Sequence, residues 1–118
     1  MENFTDVKLE IFVPEAHALK IFDELANIGV GRVGNYDHCF ALHPVRGYFR
    51  PLPGANPFDG KIGELSETAE YKIEVNCMRE LVNRALKVIQ EVHPYEEPVV
   101  NVIPLANHIF DKKSMSGL

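Results

Sequence analysis

The chain has 118 residues, of which 46% are hydrophobic and 25% charged, and its formal net charge is −5. This length predicts one domain that buries roughly two-thirds of the surface exposed by its unfolded chain. The acidic balance, without a Lys/Arg cluster, excludes a nucleic-acid-binding surface, and no apolar run could span a bilayer. With no recognisable secretion signal, we expect a cytoplasmic protein whose two cysteines, Cys39 and Cys77, are free thiols.

The first third of the chain predicts a strand followed by a helix. Apolar and charged residues alternate over residues 7–13, which is typical of a half-buried strand. Residues 15–28 then form an amphipathic pattern with the apolar residues Ala18, Ile21, Phe22, Leu25 and Ile28 at helical spacing. Gly29 is expected to end this helix in a left-handed conformation.

The middle of the chain predicts two strands and a long irregular connection. Alternation over 36–42 indicates a second strand, 44–47 reads as a turn, and 48–50 as a short returning strand. Residues 51–63 are too rich in proline and glycine for regular structure.

The last third repeats the order strand, helix, strand. Tyr71, Ile73 and Val75 alternate with charged residues, and Asn76 is the expected N-cap of a helix over 78–92. Residues 99–105 predict the final strand. We therefore assign 1–105 to one domain and 106–118 to a partly flexible C-terminal extension.

These elements predict an α+β, ferredoxin-like βαββαβ fold: an antiparallel sheet with two helices on one face and an elaborated β2–β3 connection. The last strand is apolar on both faces, whereas two helices cover only one face of a sheet. We therefore expect the other face to meet a second subunit. In the alternative, the C-terminal residues fold back, with Ile109 and Phe110 as the cover.

The run from Gly29 to Gly34 matches the G-x-G-x-x-G pattern of dinucleotide-binding folds. In those folds the glycines open a helix, whose N-terminus receives the phosphates. Here they follow a predicted helix, so we interpret them as a helix stop and a tight entry into the next strand.

Several side chains could ligate a metal ion. His38, His93 and Glu97 are the candidate ligands, and neutral imidazole and carboxylate suit zinc or copper. Their spacing is not diagnostic, and for His38 a hydrogen-bonded, half-buried structural histidine is the alternative. A divalent metal is thus a possible cofactor rather than an established one.

His93 with Glu96 or Glu97 could form a general acid–base pair, or a corner fixed by the flanking prolines. No nucleophile or oxyanion donor accompanies them, so we expect the chain not to be an enzyme. Arg50 and the following turn could hold an anion, or Arg50 could pair with an acidic residue.

Three motifs together resemble a known family. Gly31-Arg-x-Gly-Asn-Tyr-Asp-x-Cys39, Phe49-Arg-Pro-x-x-Gly-Ala-Asn-Pro57 and His93-Pro-Tyr-Glu-Glu-Pro98 are similar to the PII/CutA-like domain of the Nif-three-like (NGG-interacting factor) family. The resemblance spans about residues 7–105 and implies a stand-alone PII-like domain that assembles, with a trimer expected before a dimer. It also implies that the dinuclear metal site of that family lies in a flanking domain without counterpart in this sequence, and that hydrolase or cyclohydrolase activity does not pass to this chain.

We therefore expect a homo-oligomer that binds a small ligand, an anion or a metal ion where the three motifs converge, because loops and strand ends display polar groups on a rigid scaffold. The alternatives are a pure assembly module and a CutA-like metal-tolerance protein. The candidate ligand-binding residues are Gly34, Asn35, Tyr36, Asp37, Arg50, Asn56, His93, Tyr95 and Glu96.

Overall fold

A computed structural model describes residues 3–110, so residues 111–118 of the predicted flexible extension lie outside the described part of the chain. Four strands, two α-helices and two single 3-10 turns follow one another along the sequence. They are β1 (Asp6–Pro14), α1 (Glu15–Asn27), β2 (Phe40–Phe49), β3 (Ser66–Met78), a 3-10 turn (Arg79–Leu81), α2 (Val82–Val92), β4 (Val100–Pro104) and a last 3-10 turn (Asn107–Ile109). No helix within residues 3–110 is long and apolar enough to cross a membrane.

The four strands form one antiparallel sheet in the order β2-β3-β1-β4. On β1, Leu9 is paired with Val75 of β3 on one side and with Val102 of β4 on the other. Both helices lie on the same face of the sheet. The predicted α+β, ferredoxin-like βαββαβ fold is confirmed.

The core lies between the sheet and the two helices. The inward side chains of β1 are fully buried, and α1 and α2 supply the opposing stripe, which includes Ile21, Leu25 and Ile89. Each large aliphatic side chain that is fully buried in this way contributes about 1.5–3 kcal/mol. This layer explains why the alternation of β1 is the clearest pattern in the sequence.

The end of α1 follows its prediction. Gly29 has φ +96°, its amide donates to the Ala26 carbonyl, and the amide of Val30 donates to the Leu25 carbonyl. These two bonds satisfy carbonyl groups that the last turn of a helix leaves open, which is the Schellman arrangement. The interpretation of Gly29 as a helix stop is confirmed.

The second strand differs from its prediction. The turn predicted at 44–47 is wrong, because β2 continues through it from Phe40 to Phe49, paired with β3 throughout. Since β2 is an edge strand, Pro44 can occupy it without removing a ladder hydrogen bond. The strand also begins later than expected, since His38 has φ +57°, a left-handed conformation that ends the alternation.

Asn76 is not a helix N-cap. It belongs to β3, where it is paired with Lys8, and the chain turns into a helical path only at Arg79. The register of β1 and β3, which continues to Met78, outweighs the local capping preference of asparagine.

The β2–β3 hairpin projects past the end of β1. The first strand pairs with β3 only from Glu70 to Met78, while residues 66–69 pair with β2 alone. The connection 50–65 starts at this projecting tip and returns to it. The overhang thus creates a shelf at one end of the sheet, beside the loop that follows α2.

Candidate functional site

A cleft of about 580 Å³ lies on this shelf. Three separately encoded segments form its walls: the end of β2, the connection from Arg50 to Asp59, and the loop from Tyr95 to Val99. Phe12 and Glu70 line it from the sheet, on the face that carries no helix. Its volume is in the range of small-molecule sites in proteins.

His93 is a structural corner beside the cleft. It is 6% exposed, its Nε2 donates to the carbonyl of Phe12 at 2.7 Å, and its Nδ1 accepts the amide of Tyr95 at 3.1 Å. Both nitrogens are therefore engaged, and the ring is neutral because one of them accepts. Burial lowers its pKa below the usual value, and the hydrogen bond to Phe12 opposes this only in part. The arrangement ties the loop after α2 to the end of β1.

Tyr95 connects the loop to the hairpin. Its hydroxyl donates to Oε2 of Glu70 at 2.8 Å, and Glu70 is only 6% exposed. Burial is the main cause that raises the pKa of Tyr95 well above its usual range, and the Glu70 carboxylate raises it further. The tyrosine is thus neutral and acts as a hydrogen-bond donor.

Aromatic rings surround Tyr95. Its ring centroid lies 6.0 Å from that of Phe49, 6.2 Å from that of Phe58 and 5.0 Å from that of His93. Phe58 also packs edge-on against His17 of α1, at 5.7 Å. Because the interacting aromatic rings come from every wall, they hold the walls together.

Two of the three predicted segments meet here. The backbone amide of Asn56 donates to Oε1 of Glu96 at 3.0 Å, which joins the connection 50–65 to the loop after α2. Arg50 lines the same cleft, and within residues 3–110 it has no ion-pair partner. The structure thus places Arg50, Asn56, Tyr95 and Glu96 at one site, with His93 as its support.

The third segment, Gly34 to Asp37, lies elsewhere in the same chain. It precedes the first residue of β2, whereas the cleft lies at the last, and a ten-residue strand spans roughly 30 Å. Tyr36 is 74% exposed and pairs with Val33 in a tight turn. The expected convergence of all three motifs therefore does not occur within one chain: Gly34, Asn35, Tyr36 and Asp37 are absent from the cleft lining.

His38 belongs to that distant segment. Its Nδ1 lies 3.0 Å from Asp37, its Nε2 lies 3.5 Å from Asp23, and its ring packs against Phe22. The hydrogen bond with Asp37 is the main cause that raises the pKa of this exposed histidine. The side chain fastens the turn to α1.

The candidate metal ligands do not form a metal group in this structure. Within residues 3–110, no three His, Cys, Asp or Glu side chains are placed to hold an ion. Both ring nitrogens of His93 already form hydrogen bonds. Glu97 lines the cleft, whereas His38 lies at the opposite end of β2. Cys39 and Cys77 are free thiols, and burial raises the pKa of Cys77 to about 11.

Sequence reasoning missed Glu70, Gly47 and Phe58. Glu70 occupies an outward position of β3 like Lys72 and Glu74, so nothing in the pattern marks it as buried. Gly47 was interpreted as part of a turn, yet a side chain at this position would occupy the space of the Glu70 carboxylate. Their importance comes from contacts distant in sequence, which periodicity does not report.

No protein-family model matches the chain. It is 39% identical over 100 residues to a protein of Halalkalibacterium halodurans named GTP cyclohydrolase 1 type 2 homolog, covering 85% of this chain and 27% of that relative. A Bacillus subtilis protein of the same name is 33% identical over 98 residues, covering 83% of this chain and 26% of the relative.

Two solved structures show the same fold. The Bacillus cereus protein related to NIF3 superimposes with a TM-score of 0.77 at 32% identity, over 91% of this chain and 27% of the other. The PII-like protein CutA from Nostoc superimposes with a TM-score of 0.67 at 22% identity, over 93% of this chain and 90% of the other. The resemblance to the NIF3-related and PII/CutA-like proteins is thus confirmed.

These comparisons correct one expectation. The chain was expected not to be an enzyme, but its relatives bear the name of homologues of an enzyme, GTP cyclohydrolase 1 type 2. The chain spans about a quarter of the length of these relatives.

Proposed function

We propose that this chain, which is homologous to a segment of the NIF3-related proteins and has the PII/CutA-like fold, binds a small molecule in the cleft at the tip of the β2–β3 hairpin. The main support for this proposal is the way in which the cleft is built. Its three walls come from distant parts of the sequence, and the Asn56–Glu96 and Tyr95–Glu70 hydrogen bonds hold two of the junctions. A site held in this way is pre-organised, which lowers the entropy lost on binding.

The chemistry of the walls favours a ligand with an apolar ring. Phe12, Phe49, Phe58 and Tyr95 present aromatic surface, and the carboxylates of Glu96 and Glu97 stand among them. Ligand sites commonly combine a mainly apolar lining with a few polar groups that fix orientation. The name of the longer relatives refers to an enzyme. In a protein of that kind, we propose that the segment homologous to this chain binds such a ligand.

Nuclear magnetic resonance of the labelled chain with a set of aromatic fragments tests this proposal. We expect shift changes at the amides of Phe49, Phe58 and Tyr95. Phe58→Ala should lower the affinity by up to about tenfold, because the ring contact between Phe58 and the ligand, about 0.5–1.5 kcal/mol, is lost. Leu65→Ala is the matched control, since Leu65 is 71% exposed and lies outside the cleft lining. Shift changes confined to other surfaces would refute the proposal.

The junction between the two loops has its own test. Glu96→Ala should weaken binding of any fragment that Phe58→Ala weakens, while lowering the free energy of unfolding by only about 0.5–1.5 kcal/mol, because one exposed hydrogen bond is lost. Glu97→Ala is the neighbouring control for the stability change, since no hydrogen bond from a described residue to its side chain would be lost. An unchanged fragment affinity in Glu96→Ala would mean that the junction is not needed for the site.

The chain is further proposed to be a cytoplasmic homo-oligomer, with a trimer expected first. The face of the sheet that carries no helix supports this, because Ile103 stands on it at 39% exposure beside Lys8, and the outer edges of β2 and β4 have no strand partner in residues 3–110. Light scattering after size exclusion should give a multiple of the monomer mass. Ile103→Lys should reduce that mass, with Leu19→Lys on α1 as the control. A wild-type monomer at micromolar concentration would contradict assembly.

A further inference from the structure

Glu70 is a buried acid that forms no ion pair with any residue in 3–110. The ion pairs within residues 3–110 involve Asp23, Asp37, Glu67 and Glu74, and none reaches Glu70. From the described residues its carboxylate accepts one hydrogen bond, which the Tyr95 hydroxyl donates. Buried carboxylates are as a rule paired with a positive charge, since a hydroxyl compensates only part of the lost hydration.

The space in front of this carboxylate is walled by aromatic rings. The ring planes of Phe49 and Phe58 are each tilted by 50° to that of Tyr95, at centroid distances near 6 Å. Aromatic faces carry partial negative charge and attract cations within about 6 Å of the ring centroid. Several tilted rings next to a carboxylate form the kind of cage in which ammonium groups are recognised.

The other charged residues of the cleft also favour a positively charged ligand. Asp59, Glu96 and Glu97 line it along with Glu70, whereas Arg50 is the one cationic residue among the described lining residues. The chain as a whole carries a formal charge of −5. A cleft of one dominant sign concentrates ligands of the opposite sign and repels those of its own. This argues against the anion that Arg50 alone had suggested.

We propose that the ligand of this cleft is an organic cation, a small molecule that carries a protonated amine or a quaternary ammonium group on an apolar or aromatic body. The apolar body lies against Phe49, Phe58 and Tyr95, and the cationic group faces the Glu70 side of the cage. A bare metal ion fits less well, because it requires several ligating side chains in one place, and residues 3–110 offer no such group of three. The inference rests on the proposed function of the cleft and adds the charge of its ligand.

Three probes with the same ring separate charge from shape. We would titrate the full chain with 2-phenylethylamine, which is cationic at neutral pH, with the neutral 2-phenylethanol, and with the anionic 3-phenylpropanoate, following the cleft amides by nuclear magnetic resonance. The amine should bind about tenfold more tightly than the alcohol, since a desolvated cation–π contact and a nearby carboxylate each favour it. The carboxylate probe should bind most weakly.

Glu70→Gln tests the origin of the preference. Glutamine keeps an acceptor for the Tyr95 hydroxyl and nearly the same volume, so the alcohol should bind as before while the advantage of the amine falls to about threefold or less. Glu91→Gln removes an exposed charge of α2 that does not line the cleft and should leave the advantage unchanged. Should Glu70→Gln fail to fold, the pair Glu96→Gln and Glu97→Gln, at exposed positions, should reduce the same advantage.

The outcomes separate the two proposals. If the alcohol binds as tightly as the amine, the cation inference fails and ligand binding in the cleft stands. If 3-phenylpropanoate binds most tightly, the inference fails and Arg50 governs the site. If none of the three probes shifts the cleft amides at millimolar concentration, the cation inference and the proposed function fail together.

Discussion

His93→Ala is expected to lower the free energy of unfolding by about 3–5 kcal/mol, because it removes a buried ring and leaves two partly buried backbone groups without partners. The Phe12 carbonyl loses its donor and the Tyr95 amide loses its acceptor. Since a domain of this size is stable by only about 5–15 kcal/mol, this loss is a large fraction of its total stability.

Urea denaturation measures this change directly. His43→Ala is the matched control, because His43 is exposed and its contact with Glu74 lies at 3.5 Å, so the expected loss is only about 0.5 kcal/mol. A loss below about 1 kcal/mol in His93→Ala would show that the two hydrogen bonds do not support the corner.

The same histidine should make stability depend on pH. Its pKa in the fold lies below the ordinary value of 6.5, mainly because of burial, so the folded state prefers the neutral ring. The stability that neutral His93 contributes to the fold is complete above pH 6.5. It is lost as the pH falls through the lowered pKa of His93 in the folded state. His38 acts in the opposite direction, since its pKa is raised. In a His38→Ala background, acidification below pH 6.5 should therefore destabilise the fold, and His93→Gln should remove that slope.

The parts of the fold that the sequence predicts are those decided by local pattern. The alternation of β1, the stripe of α1 and the stop at Gly29 each depend on neighbours within one or two turns, and each is confirmed. Pro44 and Gly47 mark a turn by composition, yet they lie inside β2. The edge position tolerates the proline and the packing of Glu70 against β2 requires the glycine, and neither condition is visible locally.

That single error explains most of what the site prediction missed. A turn at 44–47 would fold the chain back and bring Gly34 to Asp37 towards Arg50. A continuous β2 instead places these residues at opposite ends, roughly 30 Å apart. Asn56, Tyr95 and Glu96 were selected as loop residues, and the structure does bring them together. Glu70 could not be selected, because its burial depends on Tyr95 and on the space above Gly47.

Gly47→Ala is the second substitution with a large expected effect. A Cβ at this position would lie 2.6 Å from the Glu70 Cδ and still closer to its Oε1, so the carboxylate has to move. Because Glu70 is buried and has little room, we expect this movement to break the hydrogen bond from the Tyr95 hydroxyl. We expect the free energy of unfolding to fall by about 2–3 kcal/mol, from overpacking and the lost charge-assisted bond.

A double-mutant cycle isolates this cause. In a Glu70→Ala background the new methyl group meets no carboxylate. Gly47→Ala should therefore raise the free energy of unfolding there by about 0.5–1 kcal/mol, as alanine does relative to glycine in regular structure. Tyr95→Phe removes the hydroxyl alone and should reduce the cost of Gly47→Ala by the part due to the bond. Since Glu70 also supplies part of the negative charge of the cleft, Gly47→Ala should weaken binding of 2-phenylethylamine more than that of 2-phenylethanol. If the effects of Gly47→Ala and Glu70→Ala on the free energy of unfolding were additive, the Glu70 carboxylate would not be the reason why position 47 requires glycine.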